Sequence, residues 1–504
     1  MTTLLFGIHL GNSSGCVGIF KDGKADVLAS DSGERIIPAV VSYRNNNEKV
    51  VGMAAKSGMA RFGTCTVTNN KRLMNMSISD KELSEAISRT TCKVVPNDDG
   101  VHYEVEYEGK TTRRTPDQVH TQLYRKLHET ASSSLHTGES TLPAVLTVPV
   151  HFCSASRKEV MRAAEEAGFK VLQLIDEPSA SLLAHNVGQV DLNEEGYVVV
   201  YRVGGATLDV TVFWINSGMY TLVTNVHQHN IGGHIITEEL AKFLAKEFHQ
   251  KVKLDPMENR RSMAKLRGAA ETCKHVLSTM QTAHCFTESL VDGVDLSSNI
   301  SRARFESILN PLLPQFLEPV SKAIESAGIT AKDVKKVVVA GGTLKIPRLQ
   351  QALSGVVPDA EVLGLGPAIS PDEVIAMGAA VQASCVPQGW DGDCIQLSED
   401  VSAISQDVVY QVDGSEKKEL IAMASCPVPF RKQFVITVPE GCDKMKLSVS
   451  QGSRCLGQAC LDGESAGSTV NFEVSVGREG EVHVTLADQK LQKRVSVHFE
   501  SVSL

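Results

Sequence analysis

The hydrophobic pattern of this chain changes period once, and nothing else in it constrains the fold as much. Beyond Gly389, the stretches DVVYQV (407–412), QFVITV (433–438), MKLSVS (445–450), EVHVTLA (481–487) and KRVSVHFE (493–500) alternate apolar and polar residues, with glycine and proline between them. A period of two turns one face of each strand to a core and the other to water, which predicts an antiparallel β-sandwich.

Up to about Val386 strands and helices alternate instead, which predicts an α/β architecture. PAVLTVPV (143–150) reads as a buried strand. Ser154 is placed to cap the helix SASRKEVMRAAEEAGF, whose Val160, Ala163, Ala164 and Ala167 make an apolar stripe, and KVLQLI is the next strand. YVVVYRV, a glycine turn and TLDVTVFW form a hairpin, as do residues 16–20 and 25–29 around Asp22-Gly23. Pro387, Gly389 and Gly392 punctuate the boundary, giving an α/β domain over 1–386, a linker over 387–400 and a β domain over 401–504.

With 504 residues and 42% hydrophobic composition, the chain can bury the cores of several domains. A net charge of −9 argues against a chain-wide grip on nucleic acid. Twelve cysteines without a C-x-x-C pair suit reduced, mostly buried thiols and a cytosolic setting. The apolar N-terminus has no basic leader and is broken by Gly7, His9, Gly11 and Asn12. No apolar run approaches the ~18 residues of a membrane span.

Four glycine turns carry the chemistry. FGIHLGNSS (6–14) and VYRVGGAT (200–207) echo each other, each an apolar strand ending in glycine and small or hydroxyl residues. Without a Cβ, backbone N–H groups there can approach a polyphosphate, although an ordinary tight hairpin has the same signature. NIGGH (230–234) opens a helix, and VVVAGGTLKIP (337–347) ends a buried strand before another. Between them Glu271, Lys274 and Ser278 fall at i, i+3 and i+7 on one helix face. They make either a solvated charged face or a grip on ribose and adenine.

The blocks FGIHLGNSSGCVGIF, NNKRLMN, LTVPVHF, LIDEPSASLLAH, YRVGGATLDVTVF, NIGGH, KLRGAAETCKHVLS, VVVAGGTLKIPRLQ and SPDEVIAMGAAVQA occur in the order and near the spacing of the nucleotide-binding domain of the 70-kDa heat-shock protein chaperones, a family this chain resembles. The resemblance implies an actin-like (ribonuclease-H-like), two-lobed ATPase fold with ATP in its cleft. On its pattern, Gly11, Asn12 and Ser13 match the first phosphate loop, and Gly204, Gly205, Ala206 and Thr207 the second. Gly232 and Gly233 belong to the third turn. Glu271, Lys274 and Ser278 match the helix that holds the nucleoside. Gly341, Gly342, Thr343, Lys345 and Asp372 match the adenosine pocket. Lys71, Pro149 and Glu177 match positions that orient the attacking water or couple the lobes, so Lys71, Glu177 and Thr207 are the candidate catalytic residues. The β domain resembles a peptide-binding domain of the family without its helical lid.

Two departures bear on activity. Strongly hydrolysing members place aspartates where this chain has His9 and Arg202, and those carboxylates organise magnesium and the nucleophile through water. A neutral imidazole and a guanidinium in their place shift the local charge by about three units. Magnesium is then weak or dispensable, and Arg202 is free to fork onto phosphate oxygens or to pair with Glu177 or Asp209, while His9 has only to find a backbone partner. The resemblance thus implies an ATP-binding, weakly hydrolysing, chaperone-like subunit that partners a J-domain protein of the ribosome-associated complex. It meets the ribosome through that partner and assists nascent polypeptides. An independent ATP-driven peptide chaperone and an actin-fold small-molecule kinase are the alternatives.

Overall fold

A computed structural model describes residues 4–44, 48–74, 83, 87, 90, 92–97, 100–107, 109–134, 141–190, 195–216, 218–366, 368–386, 404–413, 415, 417–422, 428, 430–438, 444–462, 467–477, 480–488 and 493–503. The expected linker at 387–400 lies outside them. The chain divides into two compact units, Met1–Tyr220 with Asn225–Leu397, and Ser398–Leu504 with Thr221–Thr224.

Two sheets organise the first unit. One runs in the order Phe169–Asp176, Leu142–Val148, Phe6–Leu10, Ser14–Lys21, Lys24–Val27. The other runs Met219–Gln228, Leu208–Asn216, Gly196–Val203, Val334–Ala340, Glu361–Leu363. Each is built on a hairpin whose first strand also pairs in parallel with a strand far along the chain, Leu142–Val148 in one sheet and Val334–Ala340 in the other. Near-continuous Val, Ile and Leu make these strands buried on both faces, as parallel pairing requires. Asp22 and Gly23 take positive φ (53° and 76°), as a two-residue hairpin turn needs.

Helices Glu177–Ala184 and Val374–Ser384 join the sheets through an apolar cluster that includes Val145, Leu172, Ala180, Ala340 and Ile375. Glycine marks their closest approaches. A Cβ on Gly378 would lie 1.7 Å from the Ala180 carbonyl oxygen, and one on Gly7 2.1 Å from the Ala380 nitrogen.

The helix expected from Ser154 spans Ser154–Glu166, but its cap position is Cys153, and no side-chain cap bond forms. Cys153 has the extended backbone of a cap, whereas Ser154 is already the first helical residue. Among the described residues the cysteines are free thiols, five of them buried, with Cys153, Cys385, Cys455 and Cys460 exposed. No helix among the described residues is long and apolar enough to cross a membrane.

The second unit contains two four-stranded antiparallel sheets, ordered Lys418–Ala422, Val408–Val412, Lys444–Gln451, Arg454–Asp462 and Phe430–Thr437, Thr469–Val476, Val482–Asp488, Arg494–Phe499. One apolar core draws on both, with Tyr410, Phe434 and Phe472 in mutual ring contact. Three strands go beyond the five alternating stretches. The one over Arg454–Asp462 carries Gly457 and faces a register shift at Val449/Ser450, which interrupts the alternation.

Candidate functional site

The echo between the first two turns is geometric. Gly11 N–H donates to the Ser14 carbonyl at 2.8 Å and Gly204 N–H to the Thr207 carbonyl at 2.9 Å, so both turns close identically. Two residues before each glycine, His9 pairs with Cys16 and Arg202 with Asp209 across the hairpin. His9 and Arg202 are therefore equivalent positions of a repeated unit.

The four turns converge. The Gly204 carbonyl accepts from Gly233 N–H at 3.0 Å and from the Thr343 hydroxyl at 2.9 Å, and the Gly205 carbonyl from His234 N–H at 2.9 Å. A Cβ on Gly205 would lie 2.1 Å from Ser13 Oγ, one on Gly232 2.8 Å from the Ala206 nitrogen, and one on Gly341 2.2 Å from the Val203 carbonyl oxygen. Side chains at those positions would fill the cradle. At the first turn Asn12 Oδ1, an acceptor, is buried without a partner, which leaves it for a hydroxyl, a water or a cation. Glycines in contact, with no room for a Cβ, fit a nucleotide polyphosphate.

Beneath the turns lies a buried charge cluster. Glu177, first residue of its helix, takes Lys71 Nζ at 2.8 Å on Oε1 and Arg202 Nε at 2.9 Å on Oε2. Arg202 Nη1 donates to Asp209 Oδ2 at 2.7 Å and to Thr207 Oγ1 at 3.3 Å, and Lys71 Nζ to the Leu10 carbonyl at 2.7 Å. Burial acts to raise the Glu177 carboxyl, but Arg202 and Lys71 outweigh it and hold it at about 2. Arg202 therefore forms both of the ion pairs open to it, and its fork is engaged by carboxylates. The remaining amino group, Nη2, faces the first two turns, 3.9 Å from where a Cβ on Gly11 or on Gly204 would sit.

His9 meets a side chain rather than a backbone group. Its Nδ1 is 2.9 Å from Thr147 Oγ1, whose hydroxyl reaches the Ile8 carbonyl at 3.3 Å. Thr147 thus accepts from His9 Nδ1–H, and Nε2 is left as an acceptor toward Gly11. Burial pushes the imidazole down to about 3, so it is neutral. Lys71 and Arg202 against Glu177 and Asp209 then sum to zero charge.

Other expected residues lie apart from this cluster. Lys274 is buried, donating to the Gly233 carbonyl at 3.1 Å and Thr237 Oγ1 at 2.8 Å, and burial pushes it down to about 8. Glu271 pairs with Lys56 at 3.0 Å, and the Ser278 hydroxyl turns back to the Lys274 carbonyl. Lys345 holds Asp372 at 2.6 Å beside Gly342. A small cavity borders Pro149, Glu177, Arg202, Asp209 and Asn225.

Sequence reasoning missed a histidine group at the edge of that cavity. His227 Nδ1 lies 2.5 Å from Asp209 Oδ1, His227 Nε2 3.1 Å from His229 Nδ1, and the His151 ring 3.8 Å from that of His227. The spacing H-x-H at 227 and 229 in NVHQHN was its only local signal.

The sequence matches the Hsp70 protein family over residues 5–501. It is 37% identical over 507 residues to Heat shock 70 kDa protein 14 of Danio rerio, covering 99% of both chains. It is 36% identical over 511 residues to Heat shock 70 kDa protein 14-B of Xenopus laevis and 35% over 512 residues to Heat shock 70 kDa protein 14 of Homo sapiens, again covering 99% of each.

Proposed function

The chain belongs to the Hsp70 family, whose members have the actin-like two-lobed ATPase fold and bind ATP with magnesium, and from that premise we propose that it holds ATP among its glycine turns but hydrolyses it slowly. Arg202 carries the proposal. Phosphoryl transfer needs carboxylates free to organise a metal ion and a water, and here one guanidinium engages both Glu177 and Asp209 and, with Lys71, neutralises them. Magnesium therefore contributes little to holding the nucleotide, and Arg202 Nη2 supplies part of the missing charge. Single-turnover hydrolysis, with and without a J-domain, tests this: turnover should stay slow in both. ATP affinity by calorimetry should change little on chelation of magnesium. Brisk J-stimulated turnover, or strict magnesium dependence of binding, overturns it.

A site that retains ATP suits a scaffold, and the proposed role is that of a cytosolic partner of a ribosome-bound J-domain protein, with the β unit a sandwich facing nascent chains. Affinity purification under mild salt should bring down the J-protein and ribosomes. One observation favours a second reading, an independent ATP-driven peptide chaperone: Lys71 and Glu177 stay in contact at 2.8 Å beneath Thr207. Absence of both partners would put that reading first.

A further inference from the structure

We infer that His151, Asp209 and His227 form a binding site for a divalent transition-metal ion of the zinc class, bridging the two sheets of the first unit. His151 lies in the turn that follows Leu142–Val148 of one sheet, and Asp209 and His227 stand on neighbouring strands of the other. One ligand atom from each lies within 4.8 Å of the others. Asp209 Oδ1 is the hub, 2.5 Å from His227 Nδ1 and 3.9 Å from His151 Nδ1. A tetrahedral ion with bonds of about 2.0–2.1 Å sets its ligand atoms about 3.3 Å apart, a spacing these two distances bracket.

The surroundings suit such an ion. Asp209 keeps Arg202 on Oδ2 and turns Oδ1 to the histidines, so ion and guanidinium use different oxygens. With the metal on His227 Nδ1, Nε2–H donates to His229 Nδ1 at 3.1 Å, the kind of outer partner that orients a ligating imidazole. The donor set is two imidazoles and one carboxylate, which selects zinc, cobalt or copper over magnesium, an ion that demands oxygen. The His151 side chain is about one-third exposed, which leaves a path for entry and a position for water. The site shares Asp209 with the charge cluster beneath the glycine turns, through the other carboxylate oxygen, and does not require ATP to be bound.

The test uses full-length, chelator-stripped protein titrated with Co2+, then Zn2+ in competition. One equivalent of cobalt should give visible ligand-field bands without the near-ultraviolet thiolate band that any of the twelve cysteines would add. His227→Gln and His151→Gln should each weaken binding at least about tenfold. His498→Gln, which breaks the His483–His498 pair of the second unit, should leave it unchanged. His151→Cys should introduce the thiolate band at one equivalent of cobalt while keeping the parent's circular dichroism and melting temperature, which a misfolded variant that exposes its other cysteines would not keep. No cobalt bands at 1:1, bands insensitive to both glutamine variants, or no thiolate band in His151→Cys overturns the site.

Discussion

Glu177→Gln removes the one carboxylate that Lys71 and Arg202 share. The side chain is 2% exposed and both cations touch it, at 2.8 and 2.9 Å. Its carboxyl is held at about 2 against an ordinary 4.5. At about 1.4 kcal/mol per pH unit the gap is worth about 3 kcal/mol. Removing one partner of a buried pair costs about 3–5 kcal/mol. The lower end applies, because Arg202 keeps Asp209 and Lys71 keeps the Leu10 carbonyl. Trp214, packed on Tyr197 at 4.7 Å, reports on the sheet that carries Arg202. Urea unfolding followed by its fluorescence in a Trp390→Phe background should show a loss of about 3 kcal/mol at pH 7. The sign follows from a depressed carboxyl: its contribution is complete above pH 4.5 and is lost as pH falls toward 2. The difference between Glu and Gln should therefore stay flat from pH 8 to 5. A loss under about 1 kcal/mol, or a difference that vanishes by pH 6, would refute the shared-carboxylate account.

Two further predictions concern the cradle and the buried histidines. Gly341 has φ +92° and a Cβ there would lie 2.2 Å from the Val203 carbonyl oxygen, so Gly341→Ala should cost at least about 2 kcal/mol and weaken binding of a fluorescent ATP analogue. Gly366→Ala, with open space around it, is the control, and equal melting temperatures for the two variants would count against the cradle. Burial holds His9 and His120 at about 3, so each binds a proton on unfolding as pH drops below 6.5. Together they should steepen the loss of stability by about 2.7 kcal/mol per pH unit between pH 6 and 4. His120→Gln should remove about half of that slope in urea titrations, and an unchanged slope would rule its burial out as the cause.

Both hairpins and all four glycine turns were legible, because a strand followed by glycine and a hydroxyl residue is a local pattern and these turns are local objects. Arg202 was legible as an alternative, since Asp209 lies opposite it in the hairpin that the pattern already predicted. Partners brought in by parallel pairing were not. His9 finds Thr147, 138 residues away, only because Phe6–Leu10 lies beside Leu142–Val148. His151 reaches His227 only through the apposition of the two sheets. The i, i+3, i+7 spacing correctly put Glu271, Lys274 and Ser278 on one helix, yet it could not foresee that Lys274 turns into the start of the helix Gly233–Val252. Spacing gives a shared face and says nothing of what packs on it.

Restoring both carboxylates, His9→Asp with Arg202→Asp, is the obvious route to recovered hydrolysis, and the charge cluster shows what it must also do. Two cations now balance two carboxylates in a buried space. The double variant leaves Lys71 alone against four, and removes the guanidinium that holds Glu177 and Asp209 together. Buried carboxylates without counter-charge either take up protons or recruit a cation. The variant should therefore be less stable than the parent in chelator, regain stability with millimolar magnesium through linkage, and bind ATP only when magnesium is present. Thermal melting of both proteins with and without magnesium decides it. A double variant equally stable in chelator would mean that water, rather than Arg202, neutralises Glu177 and Asp209, and Arg202 would then not be what separates holding ATP from cleaving it.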